Sequence, residues 1–149
     1  MPSALFVSLE EVEVSTLLGS CVAVCLWDKR RQFGGINHYM LPLWNGQGLA
    51  SPKFGNIAIE KLIERMLSLG ATQESLVAKL FGGAEVLDLN QNMFDIPQRN
   101  INVAYDLLGR EQIPVISSST GGRKGRKIIF NTLTGKVYQK YIEHKTTSG

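Results

Sequence analysis

A cysteine and a histidine near the N-terminus are the residue types in this chain that could do covalent chemistry. Both cysteines lie between Thr16 and Pro42: Cys21 follows Gly19-Ser20, Cys25 comes four residues later, and His38 lies further along. A free thiol titrates at about 8.5, so a cysteine nucleophile needs a partner that takes its proton. Histidine is the usual partner because it titrates near neutral pH. The segment therefore fits a nucleophile and its base.

The same segment also fits a buried strand that does no chemistry. Cysteine is among the most buried residue types, and Cys25 is flanked by Val24 and Leu26, so we assign it to the core. Cys21 differs because Gly19 permits unusual backbone angles close to it, and the following amides could point at a developing oxyanion. From spacing alone, both interpretations of Cys21 stay open.

Few residues could serve as partners of Cys21. Besides His38, the chain holds one other histidine, His144, which lies in the C-terminal tail. If Cys21 and His38 lie on adjacent antiparallel strands, a hairpin could bring both side chains to one face. A third group would hold the imidazole, and Ser15 and Thr16 lie just upstream of Cys21. These four residues are the candidate catalytic set.

Two glycine-rich stretches are further candidates for a functional site: FGGA at 81–84 and STGGRKGRK at 119–127. Neither has the Walker pattern of a phosphate site, so we interpret both as turns that could line a cleft near Cys21. A metal site is not expected. On one extended strand, Cys21 and Cys25 would lie about 13 Å apart, too far to share a metal or to form a disulfide.

The elements that must position these residues follow from hydrophobic periodicity. Strands are predicted over 12–28, 33–41, 76–81, 113–117, 128–130 and 136–142, and helices over 56–69 and 98–108. Residues on both faces of the stretch around Val22 to Trp27 are apolar, which predicts a strand covered on both sides. Gly70 and Gly109 are expected to end the helices, and Tyr105 to face inward. Residues 46–55 are expected to form a loop.

The whole chain has 149 residues, 44% of them hydrophobic and 19% charged, which predicts one domain over 1–149 with a flexible tail at about 144–149. The sequence lacks an apolar run long enough for a membrane span and a signal-like N-terminus, so we expect a cytoplasmic protein. Residues 101–149 hold eight Lys and Arg against three Asp and Glu. That excess favours an acidic protein partner over nucleic acid, since no dense basic stripe is present.

Four blocks in this order carry a resemblance to a known family: LGSCVAVCLWD, GGINHYMLP, KLFGGA and STGGRKGRKIIFNTLTGKV. They resemble the signature blocks of the CheD chemoreceptor glutamine deamidases, from about Thr16 to Val137. One block departs from the family pattern: DIPQRN at 95–100 has Pro97 where many members have glycine. That difference bears on the shape of one cleft wall.

The resemblance implies a site and a fold. It implies that Cys21 is the nucleophile, His38 the general base and Thr16 the third member, with Ser15 as the alternative. The implied fold is a single α/β (α+β) domain, an α/β/β sandwich of mixed sheets with flanking helices, similar to bacterial toxin deamidase domains. Neither a metal nor an organic cofactor is implied.

The resemblance also implies an activity and partners. A CheD protein hydrolyses the side-chain amide of glutamines on the cytoplasmic domain of chemoreceptors, in chemotaxis adaptation, and the same chemistry would hydrolyse a glutamate methyl ester there. A regulatory phosphatase of the CheC type is an implied partner. The alternative is an adaptor of the same fold that binds receptors or the phosphatase with little catalysis. A cysteine peptidase fits less well, because the spacing of Cys21 and His38 matches no peptidase family that we can place.

Overall fold

The computed structural model describes residues 4–40, 54–86 and 95–143. Within these ranges, the chain forms eight strands, two α-helices and one 3₁₀ turn. Their bounds are β1 (Ala4–Ser8), β2 (Glu13–Leu18), β3 (Val22–Asp28), β4 (Phe33–Tyr39), α1 (Gly55–Ser68), a 3₁₀ turn (Gln73–Ser75), β5 (Leu76–Gly82), α2 (Ile96–Arg110), β6 (Val115–Thr120), β7 (Arg126–Asn131) and β8 (Val137–Tyr141).

The strands form two sheets. The larger sheet has the order β1-β4-β3-β5-β6, and the smaller has the order β2-β7-β8. All neighbouring pairs are antiparallel except β5 and β6, which are parallel and are joined through α2. Parallel neighbours need such a crossover because the chain must return to the same end of the sheet.

Two hydrophobic cores hold three layers together. The first lies between the helices and the larger sheet, and it includes Val24 and Leu26 of β3 with Leu62 of α1. The second lies between the two sheets, and it includes Ala23 and Cys25 from the other face of β3. The predicted two-sided burial of β3 and the predicted layering of helices on two stacked sheets are both confirmed. The likeness to toxin deamidase domains stays a prediction.

Several predicted elements agree with the structure. The first helix is confirmed to within one residue at each end, and Gly70 follows it with a φ of +111° that suits glycine. The predicted β3–β4 hairpin is antiparallel, and the C-terminal hairpin turns through Gly135. Both cysteines are free thiols, as expected.

The predicted single strand over 12–28 was wrong. The chain leaves the smaller sheet after Leu18 and enters the larger sheet at Val22, so residues 19–21 cross between sheets. Periodicity could not show this break, because Leu18 and Ala23 both bury their side chains in the same core between the sheets. Cys21 therefore lies at a junction and not inside a strand.

The structure differs from the sequence-based expectations at three further points. Strand β1 was not predicted, although it pairs with β4 along its whole length. The second helix does not end at Gly109. It runs to Arg110, and Gln112, with a φ of +58°, takes the left-handed position beyond it. Tyr105, expected to face inward, is 41% exposed.

Some predictions fall outside the described residues: most of the predicted loop at 46–55, the end of the MLP block at Leu41 and Pro42, and the tail with His144. In the part of the chain that is described, no helix has the length and apolar character needed to cross a membrane.

Candidate catalytic site

Thr16 and His38 meet across the space between the two sheets. Thr16 lies on β2 of the smaller sheet and His38 on β4 of the larger one. The Thr16 Oγ1 and His38 Nδ1 atoms are 3.1 Å apart, which is hydrogen-bonding distance. Val14 and Leu18, the neighbours of Thr16 on the same face of β2, pack in the core between the sheets. Strand alternation thus directs the Thr16 hydroxyl inward toward the imidazole.

Ser15, the alternative to Thr16, lies on the opposite face of β2. Its side chain is exposed, as are those of Glu13 and Leu17 on either side along that face. Because side chains alternate along a strand, Ser15 and Thr16 cannot both face His38. In this structure Thr16 contacts the histidine, and Ser15 faces solvent.

Cys21 lies next to the β3–β4 hairpin, on the side of the larger sheet that His38 faces. In the antiparallel register, Ala23 is directly opposite His38, and Cys21 precedes Ala23 by two residues. Cys21 itself lies just before β3, so its placement follows from packing: Ala23 belongs to the core between the sheets, and the Cys21 side chain packs against that core. Thr16 lies on that side of the larger sheet. The fold thus brings Cys21, His38 and Thr16 to one region.

The backbone of Cys21 rests on the glycine pair of the FGGA block. The Gly83 N–H donates a hydrogen bond to the Cys21 carbonyl oxygen at 2.9 Å, and the Ala84 N–H donates to Gly19 O at 3.0 Å. Gly82 has a φ of +105°, and a Cβ there would overlap the Cys21 carbonyl oxygen. Both its φ and the close contact require glycine at this position. This block therefore supports the Cys21 segment.

The two thiols differ in their surroundings. Burial raises the pKa of the Cys21 thiol, and a hydrogen bond from its own backbone N–H acts in the opposite direction. Burial also raises the pKa of Cys25, strongly, while the charge of Lys79 lowers it. Cys21 is half-buried, whereas Cys25 is 1% exposed. Near neutral pH, Cys21 holds its proton and needs a base to react.

The second glycine-rich loop lies beside the FGGA block. The Gly121 N–H donates a hydrogen bond to Gly82 O, and the Gly122 carbonyl accepts one from Glu85. Arg123 and Lys124 follow and are exposed. Both glycine-rich stretches are thus turns close to Cys21, and the second presents two positive charges there.

Arg126, at the end of that loop, is directed inward. Its guanidinium donates to Ser119 Oγ and Gly121 O and stacks on Tyr141, 5.2 Å from the ring centroid. A hydrogen bond from Ser119 and the charge of Arg126 lower the pKa of Tyr141. The arginine therefore connects β7 to the loop that packs beside Gly82.

Asn100 is a site residue to which the sequence analysis gave no role. It lies in the DIPQRN block and is buried on α2, where its Nδ2 donates to the carbonyl oxygens of Ser20 and Met40. The sequence did contain one indication of a special role. Asn100 lies four residues before Ala104, so a polar side chain falls on the apolar face of the predicted helix. Pro97 lies in the first turn of this helix, where its missing N–H leaves no hydrogen bond unmade.

No candidate metal centre is found in the described part of the chain: nowhere in it do three or more His, Cys, Asp or Glu side chains come together closely enough.

Comparison with known proteins gives the family. The profile of the family described as CheD chemotactic sensory transduction matches residues 40–141. This chain belongs to the CheD family. A relative from Trichlorobacter lovleyi, named probable chemoreceptor glutamine deamidase CheD, is 55% identical over 91% of this chain and 84% of its own length. A relative of the same name from Sulfurimonas denitrificans is 49% identical over 95% of this chain and 91% of its own.

The candidate site lies before the part matched by the CheD family profile, which begins at residue 40. The alignment with the Trichlorobacter CheD relative includes the residues before position 40 that carry the candidate site. An alignment over 91% of the chain leaves too few residues outside it to miss the segment from Ser15 to His38. The candidate residues thus lie within the region shared with other CheD proteins.

Proposed function

We propose that this CheD protein hydrolyses the side-chain amide of glutamines on chemoreceptors, with Cys21 as nucleophile, His38 as general base and Thr16 as the residue that orients the imidazole. The observation that carries the proposal is the 3.1 Å contact of Thr16 Oγ1 with His38 Nδ1, beside the core between the sheets against which the Cys21 side chain packs. The relatives named chemoreceptor glutamine deamidase supply the substrate class.

The first half of the reaction forms a thioester. As the Cys21 sulfur attacks the carboxamide carbon of the glutamine, its proton passes to Nε2 of His38. Nε2 can accept a proton only while Nδ1 carries one, and the Nδ1–H then donates to Thr16 Oγ1. Backbone N–H groups of the segment from Gly19 to Cys21 would stabilise the negative oxygen. The carbon–nitrogen bond breaks, and His38 protonates the departing ammonia.

The second half releases glutamate. A water molecule attacks the thioester carbon while His38 takes one of its protons. The carbon–sulfur bond then breaks, and the proton returns to the Cys21 sulfur. The net change is one amide and one water converted to one carboxylic acid and one ammonia. Because burial raises the pKa of Cys21, the proton transfer to His38 must accompany attack.

The structure supports Thr16 over Ser15 as the orienting residue, because Thr16 makes the contact and Ser15 is exposed on the other face. We expect the substrate to be the cytoplasmic domain of a chemoreceptor, so the protein would act in the cytoplasm. The exposed charges of Arg123 and Lys124, on the loop beside Gly82, would attract acidic residues around the target glutamine.

The test is to incubate the protein with a chemoreceptor cytoplasmic fragment and to follow individual glutamines by mass spectrometry. We expect the mass change of amide-to-acid conversion at specific glutamines, and its loss in Cys21→Ala. The matched control is Cys25→Ala, which removes the other thiol and should keep the activity. If no glutamine is converted to glutamate while the protein still binds the receptor fragment, an adaptor role would be favoured. Such an adaptor would bind receptors or a CheC-type phosphatase. A methylated receptor in the same assay shows whether ester hydrolysis accompanies deamidation.

Alkylation gives an independent check on the nucleophile. Cys21 should react with iodoacetamide faster than Cys25 near neutral pH, because it is half-buried and has a base nearby, whereas Cys25 is closed off in the core. Peptide mapping separates the two products. Faster modification of Cys25 would contradict the assignment of Cys21.

A further inference from the structure

Asn100 is a polar residue in an apolar place. It is 0% exposed and lies on the face of α2 that packs against the larger sheet, among buried side chains such as Val103, Ala104 and Leu107. A buried amide is tolerated when it makes hydrogen bonds that water would otherwise make. The hydrogen-bond partners of Asn100 therefore indicate its role.

Both partners belong to the candidate site. The Asn100 Nδ2 atom donates to Ser20 O at 3.2 Å and to Met40 O at 3.1 Å. Ser20 immediately precedes Cys21, and Met40 follows His38 by two residues. One side chain thus joins the segment that carries the proposed nucleophile to the strand end that carries the proposed base.

The chemistry of these contacts requires an amide. Both partners are carbonyl oxygens, which only accept, so the NH₂ end of Asn100 must face them. The Oδ1 atom is left buried and, among the described residues, without a hydrogen-bond partner. An aspartate of the same shape would place a negative oxygen against two carbonyl oxygens. The site therefore selects for two N–H donors and not merely for shape.

A second contact fixes the backbone of Asn100 itself. The hydroxyl of Tyr39, the residue after His38, donates to the Asn100 carbonyl oxygen at 2.5 Å. Tyr39 is fully buried, and burial raises the pKa of its hydroxyl, so it remains a donor. The helix is thus held to Tyr39 at the end of β4, to Met40 just beyond it and to Ser20 beside Cys21.

We propose that Asn100 is a positioning residue that holds Cys21 and His38 in register for proton transfer. The inference rests on the proposed function, since it gives Asn100 a role through that pair. The segment 19–21 is not part of either sheet, so strand pairing does not fix it against β4. The bond from Asn100 to Ser20 supplies a connection between the two at that point.

The experiment is a double-mutant cycle on the full chain, with iodoacetamide as the probe. The rate of Cys21 alkylation at neutral pH is measured for the native protein, His38→Ala, Asn100→Asp and the double variant. We expect His38→Ala to slow alkylation about 10-fold or more in the native background and less than about twofold in the Asn100→Asp background. In the deamidation assay, Asn100→Asp should lower kcat about 100-fold with KM nearly unchanged.

Two controls separate positioning from simple destabilisation. Asn102→Asp makes the same chemical change on the same helix at an exposed position, and it should behave as the native protein. Alkylation of buried Cys25 reports unfolding in every variant. If Asn100→Asp exposes Cys25, Asn100→Ser, which keeps one donor, takes its place in the cycle.

The outcomes are distinguishable. An effect of His38→Ala that is equally large in both backgrounds would overturn the role of Asn100 and leave the proposed function intact. An absence of any His38 effect in the native background would overturn the Cys–His mechanism, and the positioning role with it. A His38 effect that is lost in the Asn100 variant, with Cys25 still protected, supports the inference.

Discussion

At the scale of single residues, the candidate site contains a hydrogen bond between side chains on different sheets. Thr16 Oγ1 and His38 Nδ1 are in contact, and the Cys21 side chain packs against the same core between the sheets. Burial raises the pKa of the Cys21 thiol, so on the proposed mechanism the reaction would depend on how the His38 imidazole is oriented. A small change at Thr16 should therefore affect catalysis more than stability.

Thr16→Val keeps the shape of the side chain and removes the hydroxyl. We expect kcat for deamidation to fall about 10-fold to 100-fold, because the imidazole loses the acceptor that holds it in place. The melting temperature should change little, since the net contribution of such a bond is about 1 kcal/mol. Thr16→Ser should retain most of the activity.

The matched control is Ser15→Ala, on the opposite face of the same strand. It should leave kcat unchanged. If Ser15→Ala lowers kcat as much as Thr16→Val does, Thr16 is not the orienting residue.

At the scale of elements, the segment that carries the proposed nucleophile crosses between the two sheets. The sequence predicts one strand running through Cys21, the hairpin that returns His38 and both helices. It did not predict the break at 19–21, because Leu18 and Ala23 contribute to one core and their apolar pattern continues across it. The partner of β2 lies more than a hundred residues away on β7, and local periodicity does not encode such pairing.

The candidate residues were predictable to a different extent. Cys21 and His38 stood out by residue type, by spacing and by the family blocks, whereas Thr16 and Ser15 were both candidates for the third member. The choice between Thr16 and Ser15 depended on which face of β2 turns inward, which is decided by packing against the larger sheet. Asn100 received no role because its hydrogen bonds reach loop and strand carbonyls far away in sequence.

Gly82→Ala tests the support of the crossing by β5. We expect a loss of about 1–3 kcal/mol from the left-handed backbone alone, and a further loss because the new Cβ overlaps the Cys21 carbonyl oxygen. Deamidation should decrease even at temperatures where the variant is folded. Urea denaturation and kcat together measure the two effects.

Gly109→Ala is the matched control for that substitution. Gly109 lies within α2 with open space around it, so alanine should stabilise the protein by about 0.5–1 kcal/mol. Equal stability of the two variants would show that Gly82 is not constrained as described.

The turn between β3 and β4 holds a buried carboxylate. Burial alone would raise the pKa of Asp28, but hydrogen bonds from Arg31, Ser75 and Arg30 together lower it. A carboxyl whose native pKa lies below its unfolded value stabilises the fold above about pH 3.9. That stabilisation is lost as the pH falls through the native pKa.

Asp28→Asn should therefore reduce the free energy of unfolding at neutral pH by about 1–3 kcal/mol, since several donors lose a charged acceptor. It should also flatten the decline in stability between neutral and acid pH. Urea denaturation at several pH values measures both. Asp106→Asn, at an exposed position of α2, should change neither the free energy of unfolding nor its pH dependence. If Asp28→Asn leaves the pH dependence of stability unchanged, the role given to the Asp28 carboxylate is wrong.

At the scale of the whole molecule, exposed positive charge lies on a loop beside the candidate site. Arg123 and Lys124 are exposed on the loop whose Gly121 bonds to Gly82, near the proposed nucleophile. The helices lie on the far side of the larger sheet from the smaller one. A substrate segment with acidic residues would thus meet positive charge on the side where Cys21 lies.

Arg123→Glu with Lys124→Glu should lower kcat/KM for a receptor fragment about 10-fold at low salt, mostly through slower association. The difference from the native protein should shrink at high salt, because exposed charges are screened. Lys61→Glu with Arg65→Glu, the same charge change on exposed positions of α1, should have little effect. A deficit that persists unchanged at high salt would indicate a structural cause instead.

The pairing of β2 with β7 has a consequence for the protein during synthesis. The hairpin that carries Cys21 and His38 is complete once residue 39 has been made, but the strand that holds β2 begins at Arg126. A ribosome-bound chain that ends before β7 therefore has the thiol and the imidazole without the sheet that presents Thr16. We expect the nascent chain to have no deamidase activity until β7 has been translated.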